Sequence, residues 1–293
     1  MKVLELFAGQ RSIGKAFDKK NHEVYSIEWD KRHENIDWYQ DISTITANDI
    51  IERFGVPDIV WASPDCTSYS IAGISYHRIK ESSGNLLAKS DYAKFCDKTN
   101  LNVMRLIDDL IKINPNLIYF IENPRGGMRK MDFIKDKPRY TVTYCQYGDE
   151  RMKPTDIWTN HPNPNFKPVC KNGDSCHVAA PRGSRTGTQG RKNSIERSLI
   201  PTQLCDHIVN ICEEFLTANH IGHMVLELVR EAKNSTEEGN WIYDIETIED
   251  KFNITLNNSL VVKIKSLLEE NEDVCDVQIY DNYIDIMLYK DSF

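Results

Sequence analysis

A cysteine and a glutamate each follow a hydrophobic run that is typical of a buried strand. Cys66 comes shortly after residues 57–61, and Glu122 comes directly after residues 117–121. Open α/β sheets carry out their chemistry in the crevice beyond the carboxyl ends of their strands. A thiolate there is a nucleophile, and a carboxyl group among apolar neighbours can hold or deliver a proton. Either residue alone could be structural, as an inert thiol or a turn cap, but the pair indicates covalent catalysis.

A glycine-bearing turn near the start of the chain predicts a site for a nucleoside cofactor. A strand over residues 2–7 leads into the turn, and a helical pattern follows it. Gly9 lets a ligand approach the backbone. Glu28 lies about 20 positions further on, at the end of the next strand, where an acidic residue can bind ribose hydroxyls. Trp29 is placed to lie against an adenine ring, and Asp41 to meet the adenine amino group.

The composition is that of an ordinary globular protein. The chain has 293 residues, of which 40% are hydrophobic and 27% charged, and its mean hydropathy is −0.50. Its apolar runs stay well short of the roughly 20 residues that a membrane-spanning helix needs. The eight cysteines are spread along the chain, which indicates reduced thiols rather than a disulfide framework. We therefore expect a cytoplasmic protein that makes no use of a membrane.

The stretch after the nucleophile has weak periodicity. Residues 71–98 predict a mobile lid, because a long segment without a clear pattern is usually a functional loop. Residues 101–113 predict a helix with one core-facing stripe, and residues 140–144 and 156–159 predict the last strands of the sheet.

Residues 160–197 form a polar insert rich in Pro, Asn, Gly and Arg. Its arginines suit phosphate and base-edge contacts. It also holds Cys170, Cys176 and His177, which are weak candidates for a metal site. Structural zinc usually shows two short ligand pairs, and only one ligand-rich group is plain here. We therefore predict free thiols and no bound metal.

The last part of the chain is strongly acidic. Residues 221–293 hold 6 Lys and Arg against 16 Asp and Glu, a net charge of −10. Helical patterns followed by a hairpin are similar to a winged-helix module. Because this charge repels phosphates, the segment is expected to contact a protein partner or to support dimerisation rather than to read DNA.

Four motifs together resemble those of the DNA (cytosine-5)-methyltransferases. In order along residues 1–160 they are Phe7-Ala8-Gly9, Glu28-Trp29, Pro64-Asp65-Cys66 and Glu122-Asn123. The resemblance implies an α/β fold with a Rossmann-like S-adenosylmethionine-dependent methyltransferase sheet, a small loop-rich recognition insert and a C-terminal α+β module. The catalytic domain would comprise residues 1–159 and 198–220, the target-recognition insert 160–197 and the acidic accessory domain 221–293. The compact insert suits a small, solitary modification enzyme of the phage or bacterial type.

The resemblance also implies a cofactor and a partner. S-adenosylmethionine would be bound by residues in or near the matching motifs: Phe7, Ala8, Gly9, Gln10, Ser12, Glu28, Trp29, Asp41, Ile42, Pro64 and Ser198. Double-stranded DNA would be contacted by Arg125, Arg182 and Arg185.

The implied mechanism is methyl transfer to a cytosine that has been swung out of the duplex. Cys66 would attack carbon 6 while Glu122 holds and protonates N3, and carbon 5 would then take the methyl group. The family's Gln-x-Arg-x-Arg motif is shortened here, and Arg151 and Lys153 are the nearest candidates to steady the base. Asp65 replaces the second proline of the family's Pro-Pro-Cys, and its charge should raise the pKa of the thiol.

Three alternatives remain open at this point. The chain could be an exocyclic amino-methyltransferase, although Cys66 stands where that class carries an aromatic residue. It could act on RNA, because the same chemistry works on any exposed cytosine. It could also be a catalytically weak or dead nucleic-acid-binding module, which the substitution at Asp65 would favour.

Overall fold

The computed structural model describes residues 1–82, 84–179, 194–234, 240–252, 254–280 and 282–289. The chain divides into two compact units, residues 1–212 and 213–293. The elements that begin in the first unit are β1 (Lys2–Leu6), α1 (Ser12–Asp18), β2 (Glu23–Glu28), β3 (Trp38–Tyr39), α2 (Ala47–Arg53), β4 (Ile59–Ala62), α3 (Ile74–His77), β5 (Arg78–Lys80), β6 (Leu86–Ala88), α4 (Asp91–Ile113), β7 (Ile118–Pro124), β8 (Arg139–Thr143), β9 (Pro154–Thr159), α5 (Ser194–Ser198) and α6 (Thr202–Asn234).

A seven-stranded sheet in the order β3-β2-β1-β4-β7-β9-β8 forms the centre of the first unit. Six strands run in the same direction, and β9 is antiparallel to both of its neighbours. The central strands β1, β4 and β7 are buried along nearly all of their length, as expected of parallel strands covered on both faces. This order turns the carboxyl ends of β1, β2, β4 and β7 toward one edge of the sheet.

Helix α4 covers one face of this sheet with its apolar stripe. Val103, Leu106, Ile107 and Leu110 are buried against the core. The helix begins at Asp91, because the Ser90 side chain accepts a hydrogen bond from the amide of Ala93 at 3.1 Å. It therefore starts ten positions earlier than its apolar periodicity predicts.

The stretch predicted as a mobile lid contains regular structure in its described residues. Between positions 71 and 98 lie α3, the β5–β6 hairpin and the first turns of α4. The prediction of an unstructured segment is therefore wrong. These elements are too short or too polar to give a strong periodic signal.

The second unit has its own elements and its own core. Beyond the last part of α6 it contains β10 (Asn240–Asp244), α7 (Ile245–Phe252), α8 (Asn258–Glu269), β11 (Val274–Ile279) and β12 (Tyr283–Leu288). The strands form a sheet in the order β10-β12-β11, with both pairings antiparallel. The buried side chains include Met224, Leu228, Ile264 and Ile286. Strand β10 was not foreseen from the sequence, and the winged-helix interpretation stays a prediction.

No helix in the described part of the chain is long and apolar enough to span a membrane.

Candidate active site

The register of the central strands brings Cys66 and Glu122 to the same edge of the sheet. Ala62 at the end of β4 pairs with Ile121 of the parallel strand β7. Glu122 is the next residue of β7, and Cys66 lies four positions beyond Ala62. The Asn123 side chain donates a hydrogen bond to the carbonyl of Pro64 at 2.9 Å, which ties the cysteine loop to β7.

The loop that carries Cys66 is a tight turn. The amides of Tyr69 and Ser70 donate to the carbonyl of Cys66 at 3.0 and 2.8 Å. The turn lies directly against the chain after β7, where the amide of Gly127 donates to the carbonyl of Tyr69 at 2.7 Å. A Cβ on Gly126 would come within 2.5 Å of that same oxygen, so only glycine allows this approach.

A buried arginine stabilises the loop that carries Cys66. Arg78, whose side chain is fully buried, donates to the carbonyl of Ser68 at 2.8 Å. It also forms a two-pronged ion pair with Asp97 at 2.7 and 3.0 Å, and it stacks on the ring of Tyr69. The Tyr69 hydroxyl donates to Asp97 at 2.7 Å. This network fixes the residues directly after Cys66 to α4, and the sequence alone did not indicate it.

Glu122 is a buried carboxyl group with an elevated pKa. Burial is the main cause, and it is opposed by the nearby Lys153 charge and by hydrogen bonds from Tyr144 and Ser63. The Tyr144 hydroxyl lies 3.0 Å from Oε1 of Glu122. A carboxyl group in this setting keeps its proton to a higher pH than an exposed one, as a proton donor requires.

Lys153 couples electrostatically to both members of the pair. Burial lowers the pKa of Lys153, whereas the charges of Glu122 and Cys66 raise it. Its Nζ lies 4.4 Å from the centre of the Tyr144 ring and donates to the carbonyl of Arg197 at 3.0 Å. The structure therefore brings together three of the four predicted catalytic residues.

Arg151 is placed differently. It pairs with Asp149 through its guanidinium group and its own amide, and it reaches the carbonyls of Glu196 and Arg197 at 3.5 and 3.4 Å. It therefore holds α5 beside the site rather than facing Cys66.

The thiol of Cys66 is partly buried, and its pKa is raised to about 11. Burial is the largest cause, followed by the negative charges of Asp65 and Glu122, while Lys153 acts in the opposite direction. The Asp65 carboxylate accepts from the amide of Thr67 at 2.6 Å. The substitution in the Pro-Asp-Cys motif therefore does place a charge that opposes thiolate formation.

The turn after β1, where the sequence predicts the cofactor site, follows an irregular backbone path. Phe7, Gly9 and Arg11 all have positive φ angles, and a Cβ on Gly9 would meet only the Phe7 carbonyl, at 3.9 Å. The Gly9 amide donates to Glu28 at 3.1 Å. The same carboxylate accepts from the amide of Trp29, whose side chain is 64% exposed.

The other predicted cofactor residues lie around this turn and the neighbouring strand ends. Asp41 accepts from the amide of Ser43 at 2.8 Å and so begins a 3₁₀ turn, in which Ile42 is buried. A cavity of about 600 Å³ beside this 3₁₀ turn is lined by Ser43, by Ala88 of β6 and by residues of α4. The Ser12 hydroxyl accepts from the amide of Ile200 at 3.5 Å, which brings the chain after α5 back to this turn.

Two further side chains make local contacts. Gln10 contacts His33 at 3.0 Å, and the Ser198 hydroxyl donates to the carbonyl of Ile195 at 2.7 Å.

Of the predicted DNA contacts, Arg125 lies exposed just after β7, and its amide donates to the carbonyl of Pro154 at 2.9 Å. Arg182 and Arg185 lie outside the described residues.

The weak metal candidates are joined by a residue that the sequence did not indicate. Cys145, just after β8, brings its thiol to Cys170, Cys176 and His177, and the four ligand atoms all lie within 4.8 Å of one another. Twenty-five residues separate Cys145 from Cys170, so no short motif reveals the group. Tyr144 was missed for a similar reason, although its place at the end of a predicted strand could have indicated it.

The seven-stranded sheet, with β9 antiparallel between β7 and β8 and the other six strands in one direction, has a Rossmann-like α/β arrangement. The resemblance to the DNA (cytosine-5)-methyltransferases is confirmed by a sequence relative. The chain is 26% identical over 245 residues to the probable DNA (cytosine-5)-methyltransferase of Frog virus 3 (isolate Goorha), which covers 72% of this chain and 100% of that protein. No protein-family model matches the chain.

Solved structures give weaker similarities. The chain matches the Dnmt2 methyltransferase of S. pombe with a TM-score of 0.38 and 15% identity, over 54% of this chain and 48% of that one. It matches a putative DNA modification methyltransferase encoded within an E. coli prophage with a TM-score of 0.39 and 14% identity, over 54% and 46%. The chain thus spans about half the length of these structures.

Proposed function

We propose that this chain is a DNA cytosine-5 methyltransferase that uses S-adenosylmethionine. The observation that carries the proposal is the cluster of Cys66, Glu122 and Lys153 at the carboxyl ends of β4 and β7. The viral relative is named as a probable DNA (cytosine-5)-methyltransferase, which supports the same substrate. A nucleophile and a proton donor on one sheet edge are what addition to a cytosine ring needs.

The turn after β1 suits the cofactor. Gly9 leaves open space for a ligand, Glu28 offers carboxylate oxygens for ribose hydroxyls, and Trp29 presents an exposed ring for adenine. S-adenosylmethionine would supply an electrophilic methyl group there. The remaining chemistry belongs to the side chains of this protein.

The proposed reaction begins with a cytosine flipped out of the duplex, because its ring edge is unreachable in the stack. The Cys66 thiol gives its proton to solvent, and the thiolate forms a bond to carbon 6. Glu122 delivers its proton to N3, so the ring electrons move to carbon 5, which becomes the nucleophile for the methyl group. The bond from that methyl group to the cofactor's sulfur would break as the new bond forms, and its electron pair would stay on the sulfur. Carbon 5 then loses its proton to solvent, the bond from carbon 6 to sulfur breaks, and N3 returns its proton to Glu122.

Lys153 has a defined part in this scheme. Its positive charge opposes the effect of burial on both Cys66 and Glu122. It therefore favours the thiolate at the moment of attack. The ring of Tyr144 lies under the ammonium group and fixes its position.

A covalent trap tests the proposal directly. Duplex DNA containing 5-fluorocytosine cannot lose a proton from carbon 5, so the enzyme should remain attached after methyl transfer. We expect a stable protein–DNA adduct that requires S-adenosylmethionine, and no adduct with Cys66→Ala. Cofactor binding, measured by calorimetry, should survive in that variant.

Other outcomes would overturn the proposal in identifiable ways. Formation of N4-methylcytosine without an adduct would indicate an amino-methyltransferase. Methyl incorporation into tRNA but not into duplex DNA would show that the substrate is RNA rather than DNA. Folded protein that binds the cofactor and methylates neither nucleic acid would indicate a binding module.

A further inference from the structure

Three thiols and one imidazole converge on a point outside the reaction centre. Cys145 lies in the 3₁₀ turn Tyr144–Tyr147, and the other three members come from residues 170–177. Cys145 and Cys170 are buried, whereas Cys176 and His177 lie nearer the surface. We call these four residues the thiol–histidine cluster.

The distances within the cluster resemble those of a tetrahedral metal site. Zinc bonds of about 2.3 Å to sulfur and about 2.1 Å to nitrogen place tetrahedral sulfur atoms roughly 3.8 Å apart, and sulfur and nitrogen roughly 3.6 Å apart. Nδ1 of His177 lies 3.6 Å from the sulfur of Cys176 and 3.8 Å from that of Cys170. The Cys145 sulfur lies 3.5 Å from that of Cys176 and 3.1 Å from that of Cys170. Of these four distances, the one between the sulfurs of Cys145 and Cys170 is furthest below the tetrahedral value, so these two sulfurs must move apart for a metal ion to enter.

A disulfide explains this arrangement less well. Two bonded sulfurs lie about 2.05 Å apart, and a disulfide would leave the third thiol and the imidazole without a role. Three sulfurs and one nitrogen are one of the donor sets that hold zinc in closed structural sites. We propose that a structural zinc ion is bound here by three thiolates and one imidazole, those of Cys145, Cys170, Cys176 and His177.

The surroundings of the cluster suit this role. The amide of Cys170 donates to the hydroxyl of Thr143, and the side chain of Gln146 lies 3.6 Å from the sulfur of Cys176, where it can donate to a thiolate. Binding Zn²⁺ releases the three thiol protons to solvent and leaves the site with a single negative charge.

A metal ion at the cluster would stabilise a segment that has no regular secondary structure. Residues 160–179 contain no helix or strand, so they lack a regular backbone ladder to hold them. A metal link to Cys145 fastens this segment to the turn whose first residue, Tyr144, contacts Glu122. The zinc ion is therefore structural, and it supports the reaction centre from a distance.

Metal analysis of the full chain tests the proposal. Protein purified under reducing conditions without chelators should contain about one zinc ion per chain by mass spectrometry. Cys176→Ser and His177→Ala should lose most of it. Cys275→Ser, which changes an exposed cysteine outside the cluster, should retain it.

Cobalt(II) provides a measurement that does not depend on variants that unfold. Wild-type protein loaded with cobalt should show the intense visible bands of a tetrahedral ion and a near-ultraviolet thiolate charge-transfer band. His177→Cys should keep the metal and strengthen the charge-transfer band. Weak octahedral bands, three freely titrating thiols after zinc incubation, or a Cys145–Cys170 disulfide would each overturn the proposal. None of these measurements depends on whether the protein methylates cytosine.

Discussion

The hydroxyl of Tyr144 donates a hydrogen bond to Oε1 of Glu122 at 3.0 Å, and both side chains are buried. This bond favours the charged form of Glu122, so it partly opposes the effect of burial on the pKa. Tyr144 also directly precedes Cys145 in the chain. One residue thus joins the proposed proton donor to the thiol–histidine cluster.

Tyr144→Phe should raise the pKa of Glu122 further, because the burial effect then has less opposition. We expect methyl transfer to slow by about tenfold, which corresponds to about 1.4 kcal/mol, because a weaker acid gives its proton to N3 less readily. The alkaline limb of the pH–rate profile should move to higher pH, because Glu122 then stays protonated over a wider range. Tyr147→Phe is the matched control, since it also removes a buried hydroxyl from this turn. The Tyr147 hydroxyl accepts from the amide of Lys167 and does not contact Glu122. If the alkaline limb of Tyr144→Phe stays at the wild-type pH, Tyr144 has no influence on the pKa of Glu122.

Glu122→Gln should reduce methyl transfer by about 10²-fold or more, because an amide cannot deliver a proton to N3. The residual rate should lack the alkaline limb that wild type shows when Glu122 loses its proton. Cofactor affinity is the control and should be unchanged. A variant with wild-type turnover would show that Glu122 has no part in proton transfer.

Asp65→Asn removes a charge that raises the pKa of Cys66. A fall of about one pKa unit would increase the thiolate fraction about tenfold, but a less basic thiolate is also less nucleophilic. The net increase in the alkylation rate of Cys66 should therefore be about threefold at neutral pH. Mass spectrometry of the Cys66 peptide after iodoacetamide treatment measures it, with the exposed Glu34→Gln as control. An unchanged rate would mean that water or a counterion already screens Asp65.

Glu5→Gln should change the pH dependence of stability. The Glu5 carboxyl group accepts from the amide of Gly14 at 2.8 Å, and burial raises its pKa from 4.5 to about 7. A raised pKa means that the folded state binds the proton more tightly. The associated stability is present below about pH 4.5 and is lost as the pH rises through about 7.

Above that range the wild type should be less stable than Glu5→Gln by up to about 3 kcal/mol. Chemical unfolding at several pH values between about 5 and 8, monitored by tryptophan fluorescence, measures this difference in the free energy of unfolding. Glu52→Gln, an exposed substitution on α2, should follow the wild-type curve. Parallel curves for Glu5→Gln and wild type would contradict the assignment.

Arg78→Met should destabilise the first unit by about 3–5 kcal/mol, because it leaves Asp97 without its buried partner. The double variant Arg78→Met with Asp97→Leu should recover part of this loss, since no charge then remains unpaired. Lys94→Met disrupts an exposed ion pair on the same helix and should leave the melting temperature unchanged. If Arg78→Met melts like wild type, the loop after Cys66 is held by other contacts.

The sequence predicted the central sheet and the pairing of Cys66 with Glu122, because buried parallel strands are continuous apolar runs and their ends are easy to place. The start of α4 was not predictable from periodicity, since its first turns carry polar residues and its beginning depends on the Ser90 cap. Cys145 could not be assigned, because its partners reach it through the antiparallel pairing of β8 with β9 and the return of the chain to Thr143. Arg151 pairs with Asp149, whereas Lys153 is buried near Glu122 and Cys66. Two basic residues at alternate positions do not show which of them faces the site.

The two ends of the stretch between Val178 and Glu196 are attached to neighbouring residues. The amide of Val178 donates to the carbonyl of Glu150 at 2.9 Å, and Arg151 reaches the carbonyl of Glu196 at 3.5 Å. Glu150 and Arg151 are adjacent in the chain, just before β9 begins at Pro154. A substitution in this short segment would therefore disturb the attachment of Val178 and that of Glu196 at the same time.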